Sequence, residues 1–243
     1  MENGTFNKII KIGNIVIKIS KNDKLSNQII NEMGSNDVRK YTKDINNVGI
    51  NVPKLFADFS INGTNIMIQE FIEGITVQEL LLSDLDTNTK LSVLEEFLIA
   101  YQRSKKNKNL CLDWNLKNFI VNSNIYYIDF VPCLYKDKIE TVTSPNLIEY
   151  KQTYLDEQIQ TSGIMSYALL AIFKTLTKEE SKKVFYKVKQ LFEAYANIVN
   201  YDFEKEHVYM YKMKEIIEYI NTNMEYSELA QKVKMYSMRR KEL

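Results

Sequence analysis

The stretch Leu112-Asp113-Trp114-Asn115-Leu116-Lys117-Asn118-Phe119-Ile120-Val121, followed by Tyr127-Ile128-Asp129-Phe130, decides the reading of this chain. Residues 118–121 and 125–128 are β-rich runs on either side of Asn122-Ser123-Asn124, a turn signal, so together they predict a short hairpin. Asn118 opens that hairpin and Asp129 follows its second strand, which brings the two side chains to the same open end. Asp113 lies five positions before Asn118. Asp129 stands between Ile128 and Phe130, and a carboxylate inside an apolar strand is costly unless it has a partner.

Working outward, Phe6–Ile12 and Ile15-Val16-Ile17-Lys18-Ile19 read as strands joined at Gly13-Asn14, within a hairpin over residues 5–19. Leu25, Ile29, Ile30 and Met33 then recur at helical spacing, and the pattern runs on loosely to about Val48. Residues 55–61 and 66–71 flank Asn62-Gly63, a strong hairpin signal. Beyond residue 71 the pattern is mostly helical. Leu91, Leu94, Leu98 and Tyr101 form one stripe. Thr177 with Glu180 reads as a capping box before Val184, Val188, Leu191, Tyr195 and Val199. A last helix is predicted over 206–222.

The 243 residues are 45% hydrophobic and 26% charged with a formal net charge of +1, the balance of a folded globular chain. Near-neutral charge argues against nucleic acid as the main partner. No apolar run reaches the ~20 residues of a membrane span, and no secretory signal opens the chain, so a cytoplasmic protein is expected. Lysine and asparagine greatly outnumber arginine, a bias that reads as an AT-rich coding genome. Cys111 and Cys133 are too few for a disulfide framework and lie outside any zinc spacing. His207 is the single histidine, which excludes a two-histidine metal site and an HExxH motif. Taken singly, each polar residue above has a plain structural reading: a strand lysine commonly snorkels, and Asp113 or Asn118 could serve a turn.

Taken in order, Lys18 on its strand, Glu70-Phe71-Ile72-Glu73-Gly74 leaving the sheet, Asp113 separated by four residues from Asn118, and Asp129 closing the hairpin resemble the protein kinase-like superfamily. The closer likeness is to its aminoglycoside phosphotransferase and choline kinase branch. The resemblance orders residues 5 to about 135. It implies an α+β, two-lobed protein kinase-like fold, with a small abbreviated antiparallel-sheet N-lobe carrying one helix (residues 1–71) and a larger helical C-lobe (72–243). The catalytic and metal loops fall at 111–131.

The same resemblance implies ATP and Mg²⁺ as cofactors. Asp113 would be catalytic, orienting the attacking hydroxyl and accepting its proton. Asn118 and Asp129 would supply oxygen to Mg²⁺, a hard cation. Lys18 would hold the nucleotide's α- and β-phosphates, aimed by an ion pair with Glu32, fourteen residues on. Glu70, Phe71 and Ile72 would offer backbone groups to adenine, with Gln69 or Ile68 shaping the back wall. Phosphoryl transfer needs positioning and charge neutralisation rather than covalent chemistry, which suits these residue types. The chain also departs from the family. Cys111 replaces a common structural histidine, Val131-Pro132 replaces a glycine, and only Gly4 and Gly13 precede the helix where a glycine-rich loop would lie.

The first functional expectation is a small-molecule kinase: an ATP- and Mg²⁺-dependent phosphotransferase acting on the hydroxyl of a small molecule or short peptide. The stretch from Asp129 to a helix near Leu147 is short for an activation loop, and Ser144-Pro145-Asn146 is a poor Ala-Pro-Glu. Asp156 and Glu157 alone do not make the acidic cluster a polycationic aminoglycoside would need. The alternatives are a pseudokinase acting as a binding or scaffold protein, favoured by the missing glycine-rich loop, and a kinase-fold nucleotidyltransferase. No nucleic acid and no membrane is expected as partner; a homo-oligomer or protein partner stays open.

Overall fold

The computed structural model describes residues 2–3, 7–20, 24–35, 37–61, 64–173, 176 and 178–196. The Asn62-Gly63 turn, the Thr177 cap, His207 and the helix expected over 206–222 lie outside them. The class is α+β, as expected. Strands β1 (Glu2–Asn3), β2 (Asn7–Ile12) and β3 (Ile15–Ser20) are followed by helix α1 (Lys24–Glu32), strand β4 (Gly34–Ser35) and helix α2 (Val38–Asn47). Then come β5 (Leu55–Ile61), β6 (Thr64–Glu70), β7 (Ile75–Thr76), α3 (Val77–Leu82) and α4 (Thr87–Ser104). The remainder is β8 (Leu110–Cys111), β9 (Phe119–Val121), β10 (Ile125–Tyr127), β11 (Cys133–Tyr135), α5 (Lys136–Glu140), α6 (Ile148–Leu155), α7 (Glu157–Phe173) and α8 (Lys178–Tyr195).

Two compact units emerge. The first comprises Met1–Ile75, Arg103–Asp113 and Asn118–Leu155; the second comprises Thr76–Gln102, Trp114–Lys117 and Asp156–Leu243. The first is built on an antiparallel sheet of order β1-β2-β3-β6-β5. Both expected hairpins are present, and Gly13 takes the turn at φ +56°. The first strand, for which the sequence shows almost no chain, is the two-residue β1 paired to β2. In β3 Val16 and Lys18 share the buried face, opposite Ile15 and Ile17. Antiparallel register sets Lys18 opposite Met67 and Val16 opposite Gln69 on β6.

The loose helix expected from Leu25 to Val48 is two helices, so the sheet carries two and not one. The break falls at Gly34, where a β-carbon would lie 2.7 Å from Ile30 O. β4 then pairs with β11. Asp37 restarts the helix by accepting from Lys40 N–H at 2.9 Å. Ile29 of α1 and Met33 just after it pack with Cys111, Leu134, Ile139, Val142 and Leu147 in one core. The chain also turns helical at Lys136, well before Leu147, because β11 leads directly into α5.

In the second unit the α4 stripe is buried as the spacing predicts, with Leu94 and Leu98 fully enclosed. Trp114 packs edge-on against Phe97 and Tyr101, at 5.5 and 5.0 Å between centroids. A capping box that the sequence reading missed opens α3: Glu79 N–H donates to Thr76 Oγ1 at 3.1 Å, and Thr76 N–H to Glu79 Oε2 at 2.8 Å. Val184, Val188 and Phe192 form the inner face of α8. Tyr195 Oη donates to Glu95 at 2.7 Å. Tyr186, expected between helices, faces outward.

Candidate functional site

The site lies within the first unit. Lys18 is 4% exposed, an arrangement a lysine tolerates only when its ammonium is satisfied. Its Nζ donates to Ile128 O at 2.6 Å and sits 3.3 Å from Asp129 Oδ1, 111 positions away. The Phe130 ring centroid lies 5.7 Å from the same nitrogen. Asp129 keeps 29% of its side chain exposed, so one carboxylate oxygen meets Lys18 while the group stays open to solvent.

The hairpin β9–β10 positions the remaining groups. Val121 faces Ile125 and Phe119 faces Tyr127, and Ile128 N–H donates to Asn118 O at 2.9 Å to close the open end. That bond ties Asn118 to the residue directly before Asp129. Asn118 is 5% exposed and its Nδ2 donates to Asp113 O at 3.4 Å, which turns its Oδ1 away from that bond. Asp113 N–H donates to Tyr127 Oη at 3.3 Å. Lys18, Asp113, Asn118 and Asp129 are thus one connected group.

Tyr127 is the member that sequence reasoning overlooked. It is fully enclosed, and burial first, then the nearby Tyr41, Asp113 and Asp129, push its hydroxyl far above the ordinary tyrosine value. A neutral phenol is the result, able to accept from Asp113 N–H. The inward alternation of Ile125 and Tyr127 was the available signal. Tyr41, whose hydroxyl donates to Cys111 O, had none, because its partner lies 70 positions away.

One expectation needs correction. Lys18 does not pair with Glu32. That carboxylate ends α1, where it accepts from Gln28 Nε2 at 2.9 Å and from Ser144 Oγ at 2.5 Å. These bonds, Ser144 first, hold it below the ordinary carboxylate range. The physical reason is position: Asp129 already reaches the Lys18 amine, and a helix of nine residues leaves Glu32 in its last turn, half-buried beside Ser144. Glu70, Phe71 and Ile72 are the residues expected to offer backbone groups to adenine. Glu70 N–H donates to Lys54 O and Phe71 N–H to Asn14 O, both at 2.9 Å, so these two donors are already used. Lys11 Nζ covers the Phe71 ring at 3.4 Å. Ile72, 9% exposed, is left as the member able to offer a backbone N–H.

Cys111 and Cys133 are buried in the β4-β11-β8 sheet, and burial lifts their thiols to about 11 and about 12. They are packing residues. The Val131–Pro132 peptide is cis. A cavity of about 250 Å³ opens on the Lys18 side of the sheet, lined by Lys18, Asp58, Asn65, Met67, Pro132 and Cys133 among others.

Among the described residues no cluster of three or more carboxylate, histidine or cysteine ligands exists. Asn118 and Asp129 instead offer two oxygen ligands at a partly open site. Such a pair fits a Mg²⁺ that keeps waters and shares phosphate oxygens rather than one caged by protein.

No protein-family model matches the chain, and no curated protein matches it. Among solved structures it is similar to the PknI kinase domain of Mycobacterium tuberculosis, at 11% identity over 81% of this chain and 84% of that one, with a TM-score of 0.46. It is also similar to WbdD, described in one structure as a bifunctional kinase-methyltransferase. That likeness has 16% identity, covers 89% of this chain and 50% of that one, and has a TM-score of 0.41. The chain spans 62% of a mutant form of the PknI domain and about half of WbdD. Likenesses this distant leave function to the geometry of the site. No helix among the described residues is long and apolar enough to cross a membrane.

Proposed function

We propose that this protein is an ATP- and Mg²⁺-dependent phosphotransferase that acts on the hydroxyl of a small molecule or short peptide. The observation that carries the reading is the buried Lys18 amine held 3.3 Å from Asp129, at the open end of the hairpin bearing Asn118. A hydrophobic strand has no structural need for a buried lysine, and a site for a polyphosphate has.

Lys18 supplies positive charge to the phosphates. Asn118 and Asp129 hold the cation, which when bound neutralises phosphate charge. Asp113, tied through its backbone to Tyr127 and Asn118, orients the acceptor hydroxyl and takes its proton. Ile72 offers its backbone to the base. The small acceptor is supported by the chain after Asp129, which becomes strand β11 at Cys133 and helix α5 at Lys136 and leaves little length for a protein-docking loop. The likeness to the aminoglycoside phosphotransferase and choline kinase branch rests on the segment 70–74.

The competing reading is a pseudokinase. It is favoured by the used amides of Glu70 and Phe71 and by Glu32 bonding to Ser144 instead of Lys18. Calorimetric titration with a non-hydrolysable ATP analogue, with and without Mg²⁺, separates the two. Binding that requires both Mg²⁺ and an intact Asp129 supports the phosphotransferase. Absence of binding under every condition supports the pseudokinase.

A further inference from the structure

Along the sheet face that carries Lys18, the strands turn polar. Lys18 is opposite Met67, and Met67 is opposite Asp58, so the three share that face. One step further along it stand Asn7, opposite Ser20 on β3, and Ser60, opposite Asn65 on β6. Polar residues on the inner face of a sheet cost stability unless a function needs them. Here they border a cavity of about 250 Å³, closed on the far side by Ile30 of α1 and by Pro132. Asn7, Lys18, Asp58, Ser60 and Asn65 line it, whereas Asp113, Asn118, Asp129 and residues 70–72 do not.

Two of these groups lack the partners that their burial calls for. Asn7 is 4% exposed, and its side-chain amide makes no hydrogen bond among the described residues. Asp58 Oδ1 is buried without a hydrogen-bond donor. Arg39 Nε lies 3.1 Å from it, but that N–H points elsewhere and the arginine is largely exposed. Buried polar atoms left this way are costly and call for a specific partner. The charges nearby are already matched, Lys18 with Asp129 and Arg39 with Asp58. An uncharged occupant therefore fits, and the two cations oppose a metal ion. Hydroxyl groups suit the wall, since each can donate to a carboxylate and accept from an amide. The volume equals about eight waters at ~30 Å³ each, the bulk of a single sugar ring with its hydroxyls.

We propose that this cavity binds a small uncharged polyol of monosaccharide size, with one hydroxyl donating to Asp58 Oδ1 and another bonded to the Asn7 amide. Water fills such a place by the same bonds, and a polyol ring brings its hydroxyls already spaced. Because Asp113 does not line the cavity, this ligand is distinct from the phosphate acceptor of the reading above, and its binding does not depend on that reading.

The test titrates the isotope-labelled full chain with myo-inositol and with glucose and follows the side-chain amide signals of Asn7 and Asn65 by two-dimensional NMR. At least one of the two probes should shift both signals and saturate with a Kd of about 1 mM or tighter. Asp58→Asn and Asn7→Ala, read at the Asn65 signal, should each weaken that binding by about fivefold or more. Sucrose, a disaccharide too large for the cavity, and inositol monophosphate, which brings negative charge beside Asp58, should give no saturable shift. These two wild-type comparisons decide the matter even where a variant does not fold. Absence of saturation with both probes, an equal response to sucrose, or tighter binding of inositol monophosphate overturns the proposal. So does binding unchanged in both variants, which would put the polyol elsewhere on the protein. None of these outcomes bears on nucleotide binding, which the calorimetry above decides separately.

Discussion

A β-carbon on Gly74 would lie 2.3 Å from the carbonyl oxygen of Val121, on the hairpin strand that follows Asn118. The segment 70–74 is therefore seated against the candidate site through a glycine. Its φ of +149° is a second reason that side chains are excluded there.

Gly74→Ala should destabilise the protein by roughly 1–3 kcal/mol from backbone strain, with more from displacement of the hairpin. Gly13→Ala is the control, since Gly13 has φ +56° and open space around its β-carbon. It should cost about 1–2 kcal/mol. Urea unfolding of both variants checks this, and equal losses would show that contact with Val121 is not the constraint.

Asp113 and Asp129 should separate by phenotype. Asp129→Ala removes the Lys18 partner and a proposed cation ligand, and should abolish Mg²⁺-dependent nucleotide binding in calorimetry. Asp113→Ala should leave nucleotide affinity within about threefold and lower turnover by about a hundredfold or more, once an acceptor is found. Full activity in Asp113→Ala would remove the assignment of Asp113 as base.

Glu32→Gln tests the corrected pairing. Because Glu32 meets Ser144 and Gln28 rather than Lys18, nucleotide affinity should change by less than about threefold. A loss of about tenfold or more would mean that Lys18 exchanges Asp129 for Glu32 when nucleotide binds.

The two buried thiols predict a pH dependence with a definite sign. Folding raises Cys111 to about 11 and Cys133 to about 12, so the native state keeps protons that the unfolded chain sheds from about pH 8.5. Their contribution is whole below that pH and is lost as pH rises towards the folded values. Between about pH 8.5 and 10, stability should fall by up to about 1.4 kcal/mol per pH unit for each thiol. Denaturant midpoints across that range should show the decline, and Cys133→Ala should lessen its slope, leaving the share of Cys111. Native protein should also resist iodoacetamide far better than unfolded protein.

Much of the site is legible in the sequence because its parts are local. The β9–β10 hairpin follows from two β-rich runs and a turn, and it ties Asn118 to the residue before Asp129 within a dozen residues. The burial of Lys18 was not legible, since Ile15, Ile17 and Ile19 form the apolar set of β3 and the structure buries Val16 and Lys18 on the opposite face. The helix break at Gly34 was not legible, since apolar spacing continues through it and the obstacle is Ile30 O folded back by the helix itself. Nor was the use of the Phe71 amide by Asn14, which depends on how one hairpin's turn lies beside another strand's end.

What the sequence alone determined is the α+β class, the hairpins, and the order of Lys18, Asp113, Asn118 and Asp129, because period, turn chemistry and short spacing are properties of neighbouring residues. Only the tertiary structure decided which carboxylate Lys18 meets, that Tyr127 supports Asp113, and that Asn7, Lys18 and Asp58 border one cavity. Each of those depends on the summed geometry of several turns between residues far apart in the chain. A shift of a few ångströms there exchanges one hydrogen-bond partner for another without changing any local pattern.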